Sequence, residues 1–291
     1  MYEIGLSTMG RKLFIDGDVS RLNEEFLENC VRTNIKHIEL SIGDVEAYLE
    51  LDHKMLKKSL DSYGVNLWSY HLPFTPFETV DISSSDKAIK KSSIDIFSEL
   101  IKKAGDIGAD KFVIHSSSTF EREEVTDAYI REKLENAKEN LVTLADVAES
   151  AGGVMAVENL PPICCPTNYE EHLELLNADT RLRACFDTNH ILGGSPEEHI
   201  KALGDKLINI HVSDYDFIKE RHWLPGEGKM DWYSIVDTLN DIKFKGIWLY
   251  EVPFGYIQTL PYERRSLTCE DFVRNANEIF AKQPITVIRD K

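Results

Sequence analysis

The chain has 291 residues, of which 42% are hydrophobic and 29% are charged. This is the composition of an ordinary globular protein, and it excludes collagenous, disordered and membrane-spanning classes. The 50 acidic residues exceed the 33 basic residues, giving a formal net charge of −17, and a surface this negative disfavours binding to the phosphates of nucleic acid.

The sequence also predicts where the protein resides. No basic segment followed by an apolar run opens the chain, so no signal peptide is predicted. No apolar stretch approaches the ~18 residues that cross a bilayer, so no membrane partner is expected. The five cysteines are odd in number, scattered and without a CxxC pair, which argues against a disulfide framework and favours the reducing cytoplasm.

Short apolar or β-branched segments alternate with amphipathic segments along the chain. Helix boundaries are marked by residues such as Ser195, a predicted N-cap before Pro196, and Gly64, a predicted helix end. The strands between the helices are predicted over residues 2–6, 37–40, 65–70, 111–114, 154–157, 182–186, 207–212 and 246–250.

This alternation predicts an α/β protein with a single (β/α)8 TIM barrel. We expect one domain over residues 1–291, with a short C-terminal tail from about residue 283. A doubly wound open sheet is the alternative, but no strand is followed by GxGxxG or GxxxxGKS/T. Long connections are predicted after strands, where a barrel places its active site: residues 72–85, 159–166, 213–229 and 252–261.

Polar residues stand at the ends of several predicted strands and in the loops that follow them. The carboxyl ends of parallel strands meet at one rim of a barrel, so these side chains are expected to lie together. Five of the nine histidines belong to the set, which random placement would seldom give. The set comprises Glu39, His71, His115, Glu158, Asp187, His190, His211, Glu220, His222 and Glu251.

Four members of this set point to a metal ion. Glu158, Asp187 and Glu251 come with His211 from four successive strands, and these strand ends carry no lysine or arginine. Clustered carboxylates repel one another and lose hydration unless a cation neutralises them. A single polar residue at a strand end is usually a satisfied hydrogen-bond partner, but the set is better explained by one divalent cation, Mn²⁺, Zn²⁺, Co²⁺ or Mg²⁺.

Five short motifs occur in the order found in the xylose-isomerase-like TIM-barrel superfamily, which the chain resembles over nearly its whole length. This superfamily includes sugar and sugar-phosphate isomerases and epimerases, inosose dehydratases and endonuclease IV. The motifs are Glu158-Asn159-Leu160, Asp187-Thr188-Asn189-His190, His211-Val212-Ser213-Asp214, Gly226-Glu227-Gly228 and Tyr250-Glu251-Val252.

The resemblance to the tagatose-3-epimerase-like members implies roles for individual residues. It implies that the metal ligands are Glu158, Asp187, His211 and Glu251, and that Glu158 and Glu251 are the catalytic acid and base. It also implies that the substrate is contacted by His190 and by a basic residue after strand seven, Arg221 or His222. Sugar enzymes of this superfamily can use the residues equivalent to His71 and His115 to bind hydroxyl groups.

The expected function is a divalent-metal-dependent isomerase or epimerase of a sugar or sugar phosphate. It would act by proton abstraction next to a carbonyl through a metal-stabilised enediolate. Proton return to the same carbon gives epimerisation, return to the neighbouring carbon gives isomerisation, and loss of a β-hydroxyl makes an inosose-dehydratase-like lyase. The sequence leaves these outcomes open. The expected partner is a small sugar or polyol, and a homo-oligomer is one of the states that the sequence allows.

The endonuclease IV branch is the main alternative, as an AP endonuclease with a multinuclear zinc site. His71 and His115 match its additional histidines. Glu220 and His222 stand where that family has an Asp-x-His pair, which makes Glu220, His222 and His190 candidate ligands of a further metal.

Three features favour a sugar enzyme. Glu220 is longer than the aspartate of the nuclease, the net charge is strongly negative, and residues 72–85 contain no lysine or arginine. A third interpretation, a metal-binding protein without turnover, is disfavoured because Glu158 and Glu251 are both present.

Other rim residues have weaker expectations. Residues 213–229 are expected to close over a substrate. Asp214 and Asp216 are expected either to hold a second metal or to orient His211, and the second role is favoured. Glu39 is expected either to bind substrate or to make a structural hydrogen bond. Six aromatic residues are expected to form an apolar wall for a sugar or to pack the loops: Trp68, Phe74, Phe77, Trp223, Phe254 and Tyr256.

Overall fold

The computed structural model describes residues 1–10, 12–191, 194–255 and 257–290. Eight parallel strands close into a barrel, in which the first strand pairs with both the second and the eighth. This confirms the predicted single (β/α)8 TIM barrel. The strands are β1 (Ile4–Ser7), β2 (His37–Leu40), β3 (Asn66–His71), β4 (Lys111–Ile114), β5 (Val154–Glu158), β6 (Arg183–Asp187), β7 (Leu207–Val212) and β8 (Trp248–Tyr250).

Helices surround the barrel and follow the predicted boundary signals. Ser195 accepts a hydrogen bond from the backbone N–H of Glu198, and Pro196 begins the helix. Gly64 ends another helix in the left-handed conformation, with φ of 65°. The helices of the described residues are α1 (Glu24–Arg32), α2 (Val45–Glu50), α3 (His53–Tyr63), α4 (Lys87–Asp106), α5 (Asp127–Ser150), α6 (Tyr169–Leu176), α7 (Pro196–Leu203), α8 (Trp232–Asp241) and α9 (Cys269–Phe280).

The main apolar core lies between the barrel and its helices, where side chains such as Phe112 and Phe186 are fully buried. A separate small apolar cluster contains Val113, Ala156 and Cys185. Because side chains alternate between the two faces of a strand, this cluster fills the barrel interior. Glu158 and Asp187 lie two residues beyond Ala156 and Cys185, so they face inward at the carboxyl end.

Strand ends differ from the predicted ones by only one or two residues. The strand predicted over residues 154–157 extends to Glu158, and the one predicted over residues 182–186 is Arg183–Asp187. Both acidic residues are therefore the last residues of their strands. None of the helices in the described part of the chain combines the length and the apolarity that crossing a bilayer requires.

Candidate active site

Four strands bring the predicted metal-binding residues together at the carboxyl end of the barrel. Glu158 and Asp187 are the last residues of β5 and β6. His211 is the second-last residue of β7, and Glu251 directly follows β8. Asp187 is the register partner of His211 across β6 and β7. One ligand atom from each of the four residues lies within 4.8 Å of the others.

His211 lies at the centre of this group. Its Nδ1 is 3.2 Å from Glu158 Oε1, 3.5 Å from Glu251 Oε2 and 3.9 Å from Asp187 Oδ2. All four side chains are buried. We call Glu158, Asp187, His211 and Glu251 the four-residue group.

The four-residue group has the donor chemistry of a divalent-cation site. Asp187 Oδ1 accepts a hydrogen bond from the backbone N–H of Asn189, but the buried Oδ2 has no hydrogen-bond partner in the described structure. A buried carboxylate oxygen without a partner is costly. Three carboxylates, one of which has an oxygen without a hydrogen-bond partner, and one imidazole fit a hard or borderline divalent metal ion.

The two glutamates of the group lie in different electrostatic environments. Burial raises the pKa of Glu158, but His211 and His115 lower it more, so the pKa lies well below its ordinary value. Burial raises the pKa of Glu251 well above its ordinary value, because the carboxylates of Asp187 and Glu158 add to burial and outweigh His211. The group is therefore short of positive charge on the Glu251 side.

Glu39 of β2 contacts His211 from inside the barrel. Its Oε2 lies 3.1 Å from His211 Nε2 and accepts a hydrogen bond from Ser69 Oγ at 2.7 Å. The residue is fully buried. Of the two expected roles for Glu39, the structure shows the structural hydrogen bond. The expectation that Asp214 and Asp216 orient His211 is wrong, because Glu39 occupies that position.

A cavity of about 250 Å³ opens onto two members of the group, Glu158 and Glu251. Its described lining includes no lysine or arginine. Its residues are Met9, Gly10, Ser41, Ile42, Gly43, His71, Phe74, His115, Glu158, His190, Glu220, His222 and Glu251. The cavity therefore contains all the histidines predicted to contact a substrate.

His71 and His115 approach the same oxygen of Glu158. The Nε2 atoms of His71 and His115 lie 3.1 Å and 3.4 Å from Glu158 Oε2. Phe74 stacks on the His115 ring, with centroids 4.6 Å apart. His71, His115 and Glu158 also form a second group whose ligand atoms lie within 4.8 Å of one another.

His190 joins the group to the loop after β7. Its Nδ1 lies 2.8 Å from the carbonyl oxygen of Asn159, and its Nε2 lies 2.8 Å from Glu220 Oε1. Burial lowers the pKa of His190, but Asp187, Glu220 and Glu158 raise it more, to about 10. His190, Glu220 and His222 are not among the potential metal-binding groups that the described residues form.

Arg221 and His222 follow Glu220 but point to different surroundings. The Arg221 guanidinium pairs with Asp216, with Nη2 2.7 Å from Oδ2, and does not line the cavity. His222 lines the cavity, with Nδ1 3.2 Å from the carbonyl oxygen of Glu251. Of the two basic residues predicted after strand seven, the structure brings His222 to the candidate site.

The loop of residues 213–229 is fixed by the Asp214 carboxylate. Its Oδ1 accepts hydrogen bonds from the backbone N–H groups of Tyr215 and Met230, and its Oδ2 accepts from Gly226 N–H and Trp232 Nε1. A Cβ atom at Gly228 would lie 2.2 Å from Asp214 Oδ1, so this position requires glycine. Loop packing thus explains the glycine at position 228, and closure over a substrate stays a prediction.

The aromatic residues expected either to form an apolar wall or to pack the loops lie in different surroundings. Phe74 lines the cavity, whereas Trp223 donates from Nε1 to Thr259 Oγ1. The placement of Trp68 was wrong: it lies at the amino-terminal end of the barrel with Tyr2 and Glu3, because its position in β3 precedes the rim. Tyr256 lies outside the described residues.

Sequence reasoning missed two features of the site. The first is the contact of His211 with Glu39, and the second is Cys185, which forms a third potential metal-binding group with Glu158 and His211. The inward alternation of β6 could have indicated Cys185, since it lies two residues before Asp187.

The barrel and its rim define a xylose isomerase-like TIM barrel. The model of that family matches residues 27–268, so the chain belongs to it. This confirms the superfamily predicted from the sequence motifs.

Proteins of similar sequence match part of the chain. A fructoselysine 3-epimerase from Escherichia coli is 29% identical over 136 residues, which cover 44% of this chain and 50% of that protein. An uncharacterized protein from Methanocaldococcus jannaschii is 24% identical over 202 residues, covering 67% of each chain. The matched segment thus spans about half of the epimerase.

Solved structures share the fold over almost the whole chain. A D-tagatose 3-epimerase-like protein superposes with a TM-score of 0.76 at 18% identity, covering 96% of this chain and 97% of that one. A D-allulose 3-epimerase from Methylomonas sp. in complex with D-allulose gives a TM-score of 0.74 at 18% identity, with 97% of each chain covered.

Proposed function

We propose that this protein is a divalent-metal-dependent enzyme that epimerises or isomerises a sugar or sugar phosphate. The observation that carries the proposal is the four-residue group, with the unpaired Asp187 Oδ2 and with Glu158 and Glu251 on the wall of the cavity. The family supports it, because the similar proteins with named activities include a fructoselysine 3-epimerase and a D-allulose 3-epimerase.

In this proposal Glu158, Asp187, His211 and Glu251 hold the cation. When bound, the cation supplies Lewis-acid polarisation of the substrate carbonyl. Glu158 and Glu251 enter the group from different strands and both reach the cavity, so one can remove a proton from a substrate carbon and the other can return one.

The proton balance decides the product. Removing the proton from the carbon next to the carbonyl leaves an electron pair that moves into the carbonyl group. A proton returned to the opposite face of the same carbon gives the epimer. A proton returned to the former carbonyl carbon gives the isomer, provided that the neighbouring hydroxyl loses its proton and the former carbonyl oxygen gains one. His71, His115, His190 and His222 are the imidazoles on the cavity wall that would bind hydroxyl groups.

Turnover in D₂O with Mn²⁺ tests this function. The protein is incubated with a panel of ketoses, ketose phosphates and inososes, and the products are analysed by NMR. We expect solvent deuterium at the carbon that receives the returned proton, which is the epimerised carbon or, in isomerisation, the former carbonyl carbon. Retention of the original hydrogen would indicate a hydride shift and contradict the proton-transfer mechanism, and absence of turnover across the panel would contradict the proposed activity.

An AP endonuclease is the second candidate, and one observation favours it. His71 and His115 converge on Glu158 in a second potential metal-binding group, as a multinuclear site would require. Against it, His190, Glu220 and His222 do not form a potential metal-binding group among the described residues, and the net charge is −17.

Metal content and nuclease activity distinguish the two candidates. One metal ion per chain, unchanged by His222→Ala, agrees with the sugar enzyme. A multinuclear complement that loses one ion in His222→Ala, together with cleavage of DNA at an abasic site, would establish the nuclease and contradict our proposal.

We further propose that residues 1–291 form one domain whose tail packs on the barrel. Two residues beyond α9 make hydrogen bonds to earlier parts of the chain. The carbonyl oxygen of Gln283 accepts from Tyr233 Oη on α8, and the backbone N–H of Asp290 donates to the carbonyl oxygen of Glu263. The cytoplasmic location and a homo-oligomeric state stay predictions.

A further inference from the structure

The barrel interior contains a buried carboxylate directly below the four-residue group. Glu39 Oε2 accepts hydrogen bonds from Ser69 Oγ at 2.7 Å, from His211 Nε2 at 3.1 Å and from Asn209 Nδ2 at 3.2 Å. These partners come from β3 and β7, and all four side chains are fully buried. Glu39 therefore has a fixed position inside the barrel.

A neighbouring hydrogen bond fixes the orientation of the Asn209 amide. Trp68 Nε1 donates to Asn209 Oδ1 at 2.9 Å, which leaves the amide nitrogen of Asn209 to donate to Glu39. The chain of contacts runs from Trp68 through Asn209 and Glu39 to His211. It connects the amino-terminal end of the barrel with the candidate metal site at the other end.

This contact determines which nitrogen of His211 faces the four-residue group. A neutral imidazole carries one N–H and one lone pair. With Nε2–H donated to Glu39, the lone pair lies on Nδ1, which is 3.2 Å from Glu158 Oε1 and 3.5 Å from Glu251 Oε2. Rotation of the ring would leave the buried Glu39 carboxylate without this donor, which is costly.

We propose that Glu39 is a positioning residue that holds His211 with Nδ1 directed at the cation and makes that nitrogen a better ligand. The inference rests on the proposed function, because it assumes a divalent cation at the four-residue group. A carboxylate that accepts the distal N–H of a metal-bound histidine orients the ring and raises its basicity. Glu39 does not line the cavity, so it acts through His211 and not on the substrate.

Glu39→Gln tests this role, because it keeps the side-chain size and an acceptor oxygen but removes the charge. Mn²⁺ affinity is measured by titration calorimetry, and thermal unfolding is followed in the metal-free protein. We expect roughly 10- to 100-fold weaker Mn²⁺ binding, as for other groups that orient metal ligands. We expect the metal-free protein to remain folded, with a melting temperature close to that of the wild type.

Ser69→Ala is the matched control. It removes another donor to the same Glu39 oxygen but leaves the His211 contact in place. We expect its Mn²⁺ affinity to stay close to that of the wild type. An equal loss of affinity in both variants would mean that the interior network acts only structurally, and it would overturn the specific role of Glu39.

A second measurement does not depend on the folding of a variant. In the Zn²⁺-loaded wild-type protein, ¹⁵N NMR of the imidazole groups should show His211 protonated at Nε2. Protonation at Nδ1 would overturn the proposal.

The results distinguish a failure of the proposed Glu39 role from a failure of the proposed function. Wild-type protein that binds Mn²⁺, together with Glu39→Gln protein that binds it equally well, would refute the role of Glu39 alone. Wild-type protein that binds no divalent cation would refute the proposed function and this role with it.

Discussion

Buried acids at the barrel rim differ from a buried acid in the surrounding loops. Asp81, in the loop after β3, lies 3.2 Å from the ammonium group of Lys133 on α5 and accepts a hydrogen bond from Ser118 Oγ at 2.6 Å. The protein thus supplies a buried cation of its own. At the rim, Asp187 has an unpaired oxygen, and no described lysine or arginine lines the cavity.

The histidines show the same difference. In the helix layer, His172 and His199 contact each other at 3.0 Å, and burial lowers their pKa values to about 4 and about 3. At the rim, burial also lowers the pKa of His190, but Asp187, Glu220 and Glu158 raise it to about 10. The rim is a region of excess negative charge.

Buried polar groups in the loops and helix layer contribute to stability, whereas those at the rim form the candidate site. Away from the rim, the Asp81 carboxylate has a cationic partner within the chain, and low pKa values keep His172 and His199 neutral near pH 7. At the rim, Asp187 Oδ2 has no hydrogen-bond partner, and the proposed cation would supply the positive charge that this side of the barrel lacks. Changes in the two regions should therefore affect different measurements.

The largest effect is expected at the rim, from Glu158→Gln and Glu251→Gln. Each change keeps the shape of the side chain but removes a proton-transfer group, so turnover should fall about 10²–10⁴-fold. Steady-state rates with the best substrate of the ketose panel measure the effect. A fall of less than tenfold in either variant would mean that this glutamate is not part of the proton-transfer pair.

Breaking the buried pair outside the rim should cost stability and leave the site unchanged. Lys133→Met keeps the aliphatic stem but leaves the Asp81 carboxylate buried without a cation, so the free energy of unfolding should fall by about 3–5 kcal/mol. Urea unfolding measures this loss, and Mn²⁺ titration should show unchanged affinity.

Lys138→Met is the matched control on the same helix. Lys138 makes partly exposed ion pairs with Glu135 and Glu174, so its loss should cost no more than about 1 kcal/mol. If the two variants lose similar stability, the Asp81–Lys133 pair contributes no more than an exposed ion pair, which would contradict its role as a buried cationic partner of Asp81.

A smaller effect is expected in the pH dependence of stability. The pKa values of His172 and His199 are lower in the folded state, so the unfolded chain binds protons first as the pH falls below about 6.5. Stability should therefore fall from there down to the folded-state values. His199 alone should contribute about 2 kcal/mol of this loss between about pH 7 and pH 5.

Urea unfolding of wild-type and His199→Phe protein across this pH range isolates the contribution of His199. The variant should lose less stability on acidification by about the amount given. Parallel curves for the two proteins would show that His199 is not held neutral in the folded state.

The rim residues were predictable because the fold is regular. Once eight alternations indicate a parallel barrel, Glu158, Asp187 and Glu251 at the ends of three strands must meet at one rim. The contact between Glu39 and His211 crosses the barrel interior, so no spacing in the sequence indicates it. The register of β2 on β3 also shifts between Ile38 and Glu39, which a pattern of alternation does not reveal.

Loop residues were harder to predict than strand ends. Arg221 was expected to contact a substrate, but the fold of its loop brings Asp216 within 2.7 Å of its guanidinium group. Asp214 was expected to orient His211, but its two oxygens are occupied by four donors of its own loop region. Such contacts depend on loop conformation, which local residue types specify only weakly.

Binding of Mn²⁺ to wild-type and Asp187→Ala protein decides whether the four-residue group is a metal site. Asp216→Ala is the control, because it removes an acid of the loop after β7 that lies outside the group. Titration calorimetry should give one tight site in the wild type and in Asp216→Ala, and Mn²⁺ should raise their melting temperatures. Asp187→Ala should lose both the tight site and the thermal shift. Stoichiometric binding by Asp187→Ala, as tight as that of the wild type, would contradict the assignment of the metal site.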